Sequence, residues 1–161
     1  MANIDKNKAI IEYLFECPEV ASHPLFFNFA QAEDCNKQIV TLAEDKAIQR
    51  PFIDGSVLKR YTFTVIDYRS IVYQPLVNDL AFPNENVDEM LDVQSIIDWV
   101  TDKNNNLEFP DFGSDNEIQE VMALTETPNL NGVDTSKNPA LAKYSITIRV
   151  EYIDNSQKIW E

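Results

Sequence analysis

The sequence predicts an α+β fold in which a largely antiparallel β-sheet carries two packed helices, all within a single domain of residues 1–161. Residues 143–153 alternate between apolar and polar side chains almost without exception, which is typical of a strand with one buried face. Residues 5–16 and a second segment that ends near residue 102 instead carry apolar side chains at helical spacing. Because these elements follow the order helix, strands, helix, strands, we expect both helices to pack on one sheet.

The first helix is predicted to begin after Asp5, whose carboxylate can accept hydrogen bonds from the first free backbone N–H groups. Pro18 is expected to end it, because proline lacks the N–H that a helix interior requires. The aromatic segment 25–30 and the short segment 38–42 are predicted strands. We expect these two strands to form a hairpin across the acidic loop 32–37.

A long strand is predicted to begin at Val57 and to continue to about residue 73. Its first half has two faces: Tyr61, Phe63 and Val65 on the apolar side, and Arg60, Thr62 and Thr64 on the polar side. Further along, Ile66 and Tyr68 become the apolar positions, so the pattern shifts by one residue. A shift of one residue exchanges the two faces of a strand, and it therefore predicts a β-bulge near residues 65–66.

The second helix is predicted to begin within residues 83–86, with Asn86 and Glu89 as its capping pair, and to end in a run of asparagines. A strand follows over residues 118–125.

Residues 126–139 are rich in turn-forming residues and are predicted to be a loop without secondary structure. A loop of fourteen residues is unusual inside a compact domain and tends to be functional. The last strand then places Ile146, Ile148 and Val150 on its buried face.

The chain is strongly acidic, with a formal net charge of −14 and a pI of about 4.3. Proteins that bind DNA by releasing counterions need clustered lysine and arginine, and no such run occurs in this sequence. A protein that reads DNA sequence is therefore disfavoured. Acidity keeps a protein soluble, and it would also repel the phosphates of DNA that passes nearby.

No apolar run approaches the roughly 20 residues that a membrane helix needs. The first residues lack a basic region followed by an apolar stretch, so no signal peptide is expected. We expect the protein to be made and kept in the cytosol unless a particle carries it out.

Cys17, Cys35 and His23 are the residues in which a metal site or a nucleophile would be sought. Two cysteines in a cytosolic chain are expected to be reduced thiols, and these three residues fall short of the four ligands that zinc requires. The spacing of Cys17 and His23 matches no catalytic signature. The sequence therefore predicts no catalytic residues, no metal, no cofactor and no enzymatic activity.

Several segments in order along the chain carry a resemblance that covers most of it. They are residues 4–14 (IDKNKAIIEYL), 54–61 (DGSVLKRY), 92–99 (DVQSIIDW), 109–113 (FPDFG), 129–136 (NLNGVDTS) and 141–144 (LAKY). In these segments the chain resembles the "minor capsid" family of long-tailed phages that infect Gram-positive bacteria, which is encoded among the head–tail joining genes. Within that family the role assigned here is tail terminator, or tail completion protein.

The resemblance implies a structural virion protein that forms a homo-oligomeric ring, expected to be a hexamer. The ring would cap the head-proximal end of the tail tube, contacting the major tail tube protein on one side and the head connector or stopper protein on the other. DNA would pass through it only as cargo, no membrane would be involved, and assembly would take place in the host bacterial cytoplasm.

Contacts with other subunits are expected on the polar strand faces and on the long loop. The residues predicted to make them are Arg60, Thr62, Thr64, Asn129, Asn131, Asp134 and Arg149. An isolated arginine among small hydroxyl side chains can pair with a neighbour's carboxylate while the free protein stays soluble.

Three other functions are also compatible with the sequence. The chain could be a ring component on the head side of the joint, such as a stopper. It could be a small cytosolic enzyme that works with carboxylates alone, although carboxylate pairs are common in a chain with 27 acidic residues. It could also be an acidic module that binds a basic partner.

Overall fold

The computed structural model describes residues 5–42, 48–73 and 84–159. Its elements are α1 (Lys6–Leu14), α2 (Pro18–Ala21), β1 (Leu25–Phe27), β2 (Lys37–Leu42), β3 (Ile48–Pro51), β4 (Val57–Ile71), α3 (Glu85–Asn105), β5 (Asn116–Ala123), β6 (Asn129–Asp134) and β7 (Ala140–Asp154). The strands in the described residues form one seven-stranded, mostly antiparallel sheet with the helices packed on it, and the predicted α+β class is confirmed. The four-residue helix α2 is additional to the two helices expected from the sequence.

Strands β4 and β7 form the centre of the sheet. Its order is β1-β2-β4-β7-β5, with β3 beside β4 and β6 beside β7. The pairing of β4 with β7 runs from Val57 opposite Asp154 to Ile71 opposite Ala140 without a change of register. Each of these strands has 15 residues and is therefore about 50 Å long.

One face of the sheet is covered by helices and holds the hydrophobic core. Ile146, Ile148 and Val150 of β7 are at most 1% exposed, as predicted from the alternation of that strand. They pack with the apolar stripes of α1 and α3 and with Phe63 and Val65 of β4. Burial of this kind is the main favourable contribution to folding.

Helix α1 is capped as predicted, since Oδ1 of Asp5 accepts hydrogen bonds from the backbone N–H groups of Asn7 and Lys8. Pro18 follows the end of α1 and also occupies the first turn of α2, where its missing N–H costs nothing. The predicted cap of α3 at Asn86 is wrong. Asn84 caps this helix instead, because its extended backbone aims its side chain at the N–H groups two and three residues later.

The hairpin predicted between the first two strands is also wrong, because β1 and β2 are parallel. The backbone N–H of Lys37 donates to Pro24, and that of Asn28 donates to Ile39. Asn28 and Cys35 adopt positive φ angles of 60° and 65°, which turn the chain at both ends of the connection. Nine residues are enough to carry the chain back along the sheet, so that β2 starts beside the start of β1.

The β-bulge predicted near residues 65–66 is absent from the described β4, which pairs with β2 and β7 in a continuous register there. The core face therefore continues past Val65 to Asp67 and Arg69, which are 0% and 2% exposed. The apolar pattern of the sequence shifts at this point because the buried positions 67 and 69 hold charged residues, which form an ion pair with each other. Ile66 and Tyr68 lie on the opposite face.

The segment 126–139 is not the unstructured loop that was predicted. It contains β6, which pairs with the first part of β7 with an irregularity between Leu130 and Val133. The preceding strand, β5, lies two residues earlier than predicted. Strand β3 was not predicted, and β4 ends at Ile71.

Candidate interaction surface

The sheet face opposite the helices is here called the open face. On β4 and β7 it carries alternating side chains that point away from the core, and the residues of this set are Arg60, Thr62, Thr64, Ile66, Tyr68, Lys143, Ser145, Thr147, Arg149 and Glu151. The core residues of α1 and α3 cluster with the alternate residues of β4 and β7, among them Phe63, Val65, Ile146 and Ile148. Four of the seven residues predicted to contact other subunits lie on the open face: Arg60, Thr64 and Arg149, which are half-buried, and Thr62, which is buried.

Cross-strand pairs order the side chains of the open face. Nε of Arg60 lies 2.7 Å from Oε1 of Glu151, which is its direct partner on β7. The hydroxyl groups of Thr64 and Thr147 are 3.2 Å apart. Opposed pairs of this kind are the unit in which side chains stabilise a sheet. Within the single chain, therefore, Arg60 pairs with a carboxylate of its own sheet and keeps 31% of its side chain exposed.

The strand β6 and the start of β7 form a hairpin whose first strand is exposed along its whole length. Nδ2 of Asn131 donates to Oγ of Ser145 at 2.6 Å, which joins the hairpin to the open face. Asn129 is the backbone partner of Ser145. At the tip, Oδ1 of Asp134 accepts hydrogen bonds from the N–H and the hydroxyl of Ser136, and these bonds lower the pKa of Asp134.

The seven predicted residues do not form one compact cluster. The rows of the sheet place Asp134 beside Leu141, whereas Arg60 lies beside Glu151, ten residues further along β7. At about 3.3 Å per residue the two rows are roughly 33 Å apart. Asn129 and Asn131 lie between them, next to Ser145. The predicted residues therefore trace a long strip across the open face and its hairpin edge.

Sequence reasoning missed a cluster of charged residues on the core face. Nε and Nη2 of Arg69 donate to the two carboxylate oxygens of Asp67 at 2.9 and 3.0 Å. The same guanidinium binds Glu19 of α2 and lies 3.3 Å from Glu89 of α3. Nζ of Lys37, which is fully buried, lies 3.5 Å from both Asp67 and Glu19.

This cluster connects four elements of the fold, β2, β4, α2 and α3. Burial alone disfavours the charge on Arg69, but the hydrogen bonds and the negative charge of Asp67 outweigh it and raise the pKa of Arg69. Partial burial opposes ionisation of Glu19, yet Arg69 and Lys37 lower the pKa of its carboxyl group. The cluster thus fixes α2 and the start of α3 to the sheet through charged groups. In the sequence, the only sign of this cluster is that Asp67 and Arg69 occupy every second position after Phe63 and Val65, on the same face of the strand.

Cys17, Cys35 and His23 do not form a shared site. Burial raises the pKa of the Cys17 thiol, which is 1% exposed, and so disfavours the thiolate that a nucleophile would need. Nε2 of His23 lies 3.6 Å from Glu19, and Cys35 accepts a hydrogen bond from Arg69 at 3.6 Å. In the part of the chain that the structure describes, both cysteines are free, and no three His, Cys, Asp or Glu side chains are grouped as metal ligands.

Comparison with models of protein families finds no match, and no curated protein matches this sequence. None of the described helices is long and apolar enough to cross a membrane.

Proposed function

We propose that this chain is a structural virion protein that forms a closed ring at the head-proximal end of a phage tail tube and joins the tail to the head connector. The observation that carries the proposal is the one-sided sheet. Helices cover one face, while the open face and the β6–β7 hairpin present a strip roughly 33 Å long. An ordered face with paired side chains suits contacts with flat protein partners better than it suits the binding of a small molecule, which needs a concave site.

A ring explains how such a surface can stop a growing tube. A tube extends because each layer offers a template for the next, so its end must be closed by a layer whose outer side differs. Contacts between unlike surfaces of identical subunits close into a ring when the rotation between subunits completes a circle. One side of the ring would bind the tail tube protein, and the other would bind the head connector or stopper. We expect six copies.

The acidity of the chain supports the same role. A ring in this position surrounds the path of the genome, and a net charge of −14 on each subunit disfavours tight binding of phosphate. Charged groups act over about 8 Å at physiological salt, so an acidic lining would keep DNA mobile without blocking it. In this proposal DNA is transiting cargo, and the protein is assembled in the host bacterial cytoplasm and carried in the virion tail.

Electron microscopy of purified protein mixed with uncapped tail tubes of the encoding phage tests the proposal. We expect additional ring-shaped density at one end of each tube, and no further layers beyond it. A variant with Thr64→Lys and Thr147→Lys places two positive charges side by side on the open face and should abolish this density. The matched control, Lys8→Glu on the exposed side of α1, should retain it.

Two results would contradict the proposal. One is that the folded protein leaves both ends of the tubes unchanged at high excess. The other is that the protein binds the connector of DNA-filled heads but not the tubes, which would place it on the head side of the joint.

A further inference from the structure

In the described part of the sheet, β1 and β6 are edge strands on opposite sides, and they lie at the same level. Among the described residues, β1 pairs only with β2, and β6 pairs only with β7. One continuous row of backbone partners crosses the sheet from Phe26 at one edge to Asn129 at the other, and its members are Phe26, Gln38, Ile66, Ser145 and Asn129. The adjacent row runs from Leu25 to Leu130 in the same way.

The strand directions at these edges also match. Strand β1 is parallel to β2, and β2 is antiparallel to β4, which is antiparallel to β7. Since β6 is antiparallel to β7, it is also antiparallel to β1. If a copy is rotated about an axis roughly along the strands, its β1 meets the β6 of its neighbour in the antiparallel orientation. Antiparallel pairs are the slightly more stable kind.

Both edges expose apolar side chains. At the first edge Phe26, Phe27 and Phe29 are 39%, 38% and 79% exposed, and at the second edge Leu130 and Val133 are 56% and 42% exposed. Exposed apolar edges invite pairing with another strand, and stable monomers usually protect them with charges or a covering segment. In the described part of this chain, β6 carries one charged residue, Asp134, at its end.

The charges beside the two edges are complementary. Glu33 and Asp34 are exposed in the loop before β2, and the backbone N–H of Ser70 donates to Asp34. Ser70 pairs with Leu141 on β7, and Leu141 pairs with Asp134 on β6. The contact with Ser70 therefore places the acidic loop in the same row of the sheet as Asp134, next to the hairpin tip. The tip carries the exposed Lys137, and the carboxylate of Asp134 is turned towards Ser136.

We propose that the partner of each edge is a second copy of this chain, with β1 of one copy pairing in antiparallel fashion with β6 of the next. The inference rests on the proposed ring and specifies its joint. Because the two edges lie at the same level, successive copies follow one another without a rise along the axis. A contact without a rise closes into a ring, and not into a helical filament, when the rotation between copies completes a circle. Lys137 then lies near the acidic loop of the adjacent copy.

Disulfide trapping tests this joint in the full-length protein. Phe26→Cys and Asn129→Cys are combined in a Cys35→Ser background, where the remaining Cys17 is buried. Residues opposed in an antiparallel pair have Cα atoms about 4.5–5.5 Å apart, which is within the range of a disulfide. The control pair Lys8→Cys and Asn105→Cys supplies the same number of exposed thiols on the helices.

We expect mild oxidation to convert the first variant into a ladder of covalent oligomers that ends at one closed species. Mass spectrometry should show a disulfide that joins position 26 of one copy to position 129 of the next. The control pair should react at least about ten times more slowly, because its thiols meet only by collision.

The inference would be overturned if covalent oligomers formed no faster than in the control, or if the disulfides joined position 26 of one copy to position 26 of another. Native mass spectrometry of the wild type is run alongside. A discrete oligomer without the joint at positions 26 and 129 refutes the edge pairing but leaves a ring intact, whereas failure to bind tail tubes refutes the proposed function.

Discussion

Replacing Arg69 by methionine tests whether the buried charge cluster holds the helices to the sheet. The guanidinium is 2% exposed and binds both carboxylate oxygens of Asp67 at 2.9 and 3.0 Å. It also binds Glu19 on α2 and Glu89 on α3. Without it, Lys37 is the remaining described cation that contacts Asp67 and Glu19, so one positive charge faces two carboxylates.

Breaking a buried ion pair by removing one partner costs about 3–5 kcal/mol, and here it leaves two carboxylates with a single buried cation, Lys37. In a chain of 161 residues, 1 kcal/mol corresponds to a change in Tm of about 2–4 °C. We therefore expect Arg69→Met to lower Tm by roughly 6–20 °C. Adding Asp67→Leu removes the excess carboxylate and should recover most of the loss.

The assay is urea and thermal unfolding followed by circular dichroism at pH 7. Arg60→Met is the matched control, since it removes an arginine of the same sheet whose pair with Glu151 is 2.7 Å long but partly exposed. Exposed pairs contribute about 0–1 kcal/mol, so this variant should unfold close to the wild type. Equal losses for Arg69→Met and Arg60→Met, or no recovery in the Arg69→Met and Asp67→Leu double variant, would show that the buried cluster does not hold the helices to the sheet.

Two further predictions concern the core and the acid stability of the sheet. Ile148→Asp should prevent folding, because Ile148 is fully buried and an unpaired charge there costs several kcal/mol, whereas Thr147→Asp on the open face should fold; circular dichroism of both variants checks this. Burial opposes ionisation of Asp154, but hydrogen bonds from Lys59 and Ser156 lower the pKa of this carboxyl group to about 2. Its unfolded pKa is about 3.9, so its contribution is complete above about pH 5 and is lost progressively as the pH falls through the folded pKa of about 2. After allowance for solvent screening this amounts to about 1 kcal/mol. Unfolding free energies measured from pH 5 to pH 2 should therefore fall less steeply for Asp154→Asn than for the wild type, and parallel curves would contradict the assignment.

The sequence predicts well those elements whose side chains face a single environment. The alternation of β7 identifies Ile146, Ile148 and Val150 as core residues, because a period of two leaves only one way to bury them. The cap of α1 at Asp5 is also local, since it depends on hydrogen bonds to residues two and three positions away. Such features need no knowledge of distant contacts.

The features that the sequence does not predict depend on partners far along the chain. Strand β6 is exposed on both faces and has no alternation, and it is a strand only because β7 is long enough to pair with both β5 and β6. The charges of Asp67 and Arg69 can be buried because Lys37 and Glu19 come to them from other elements. Because these partners are distant in the sequence, the pattern around Asp67 and Arg69 predicts a β-bulge where the strand is in fact continuous. The candidate surface was predicted as a set of residues, but its extent follows from the register of the sheet.

Electron microscopy of particles made in host cells with and without this protein shows whether the chain closes the tail tube and joins it to the head. Without it, we expect DNA-filled heads and tails to accumulate separately and tail lengths to become variable, and we expect the protein supplied in trans to restore complete virions. Tails of normal length joined to heads in its absence would contradict the claim that this chain closes the tail tube and joins it to the head.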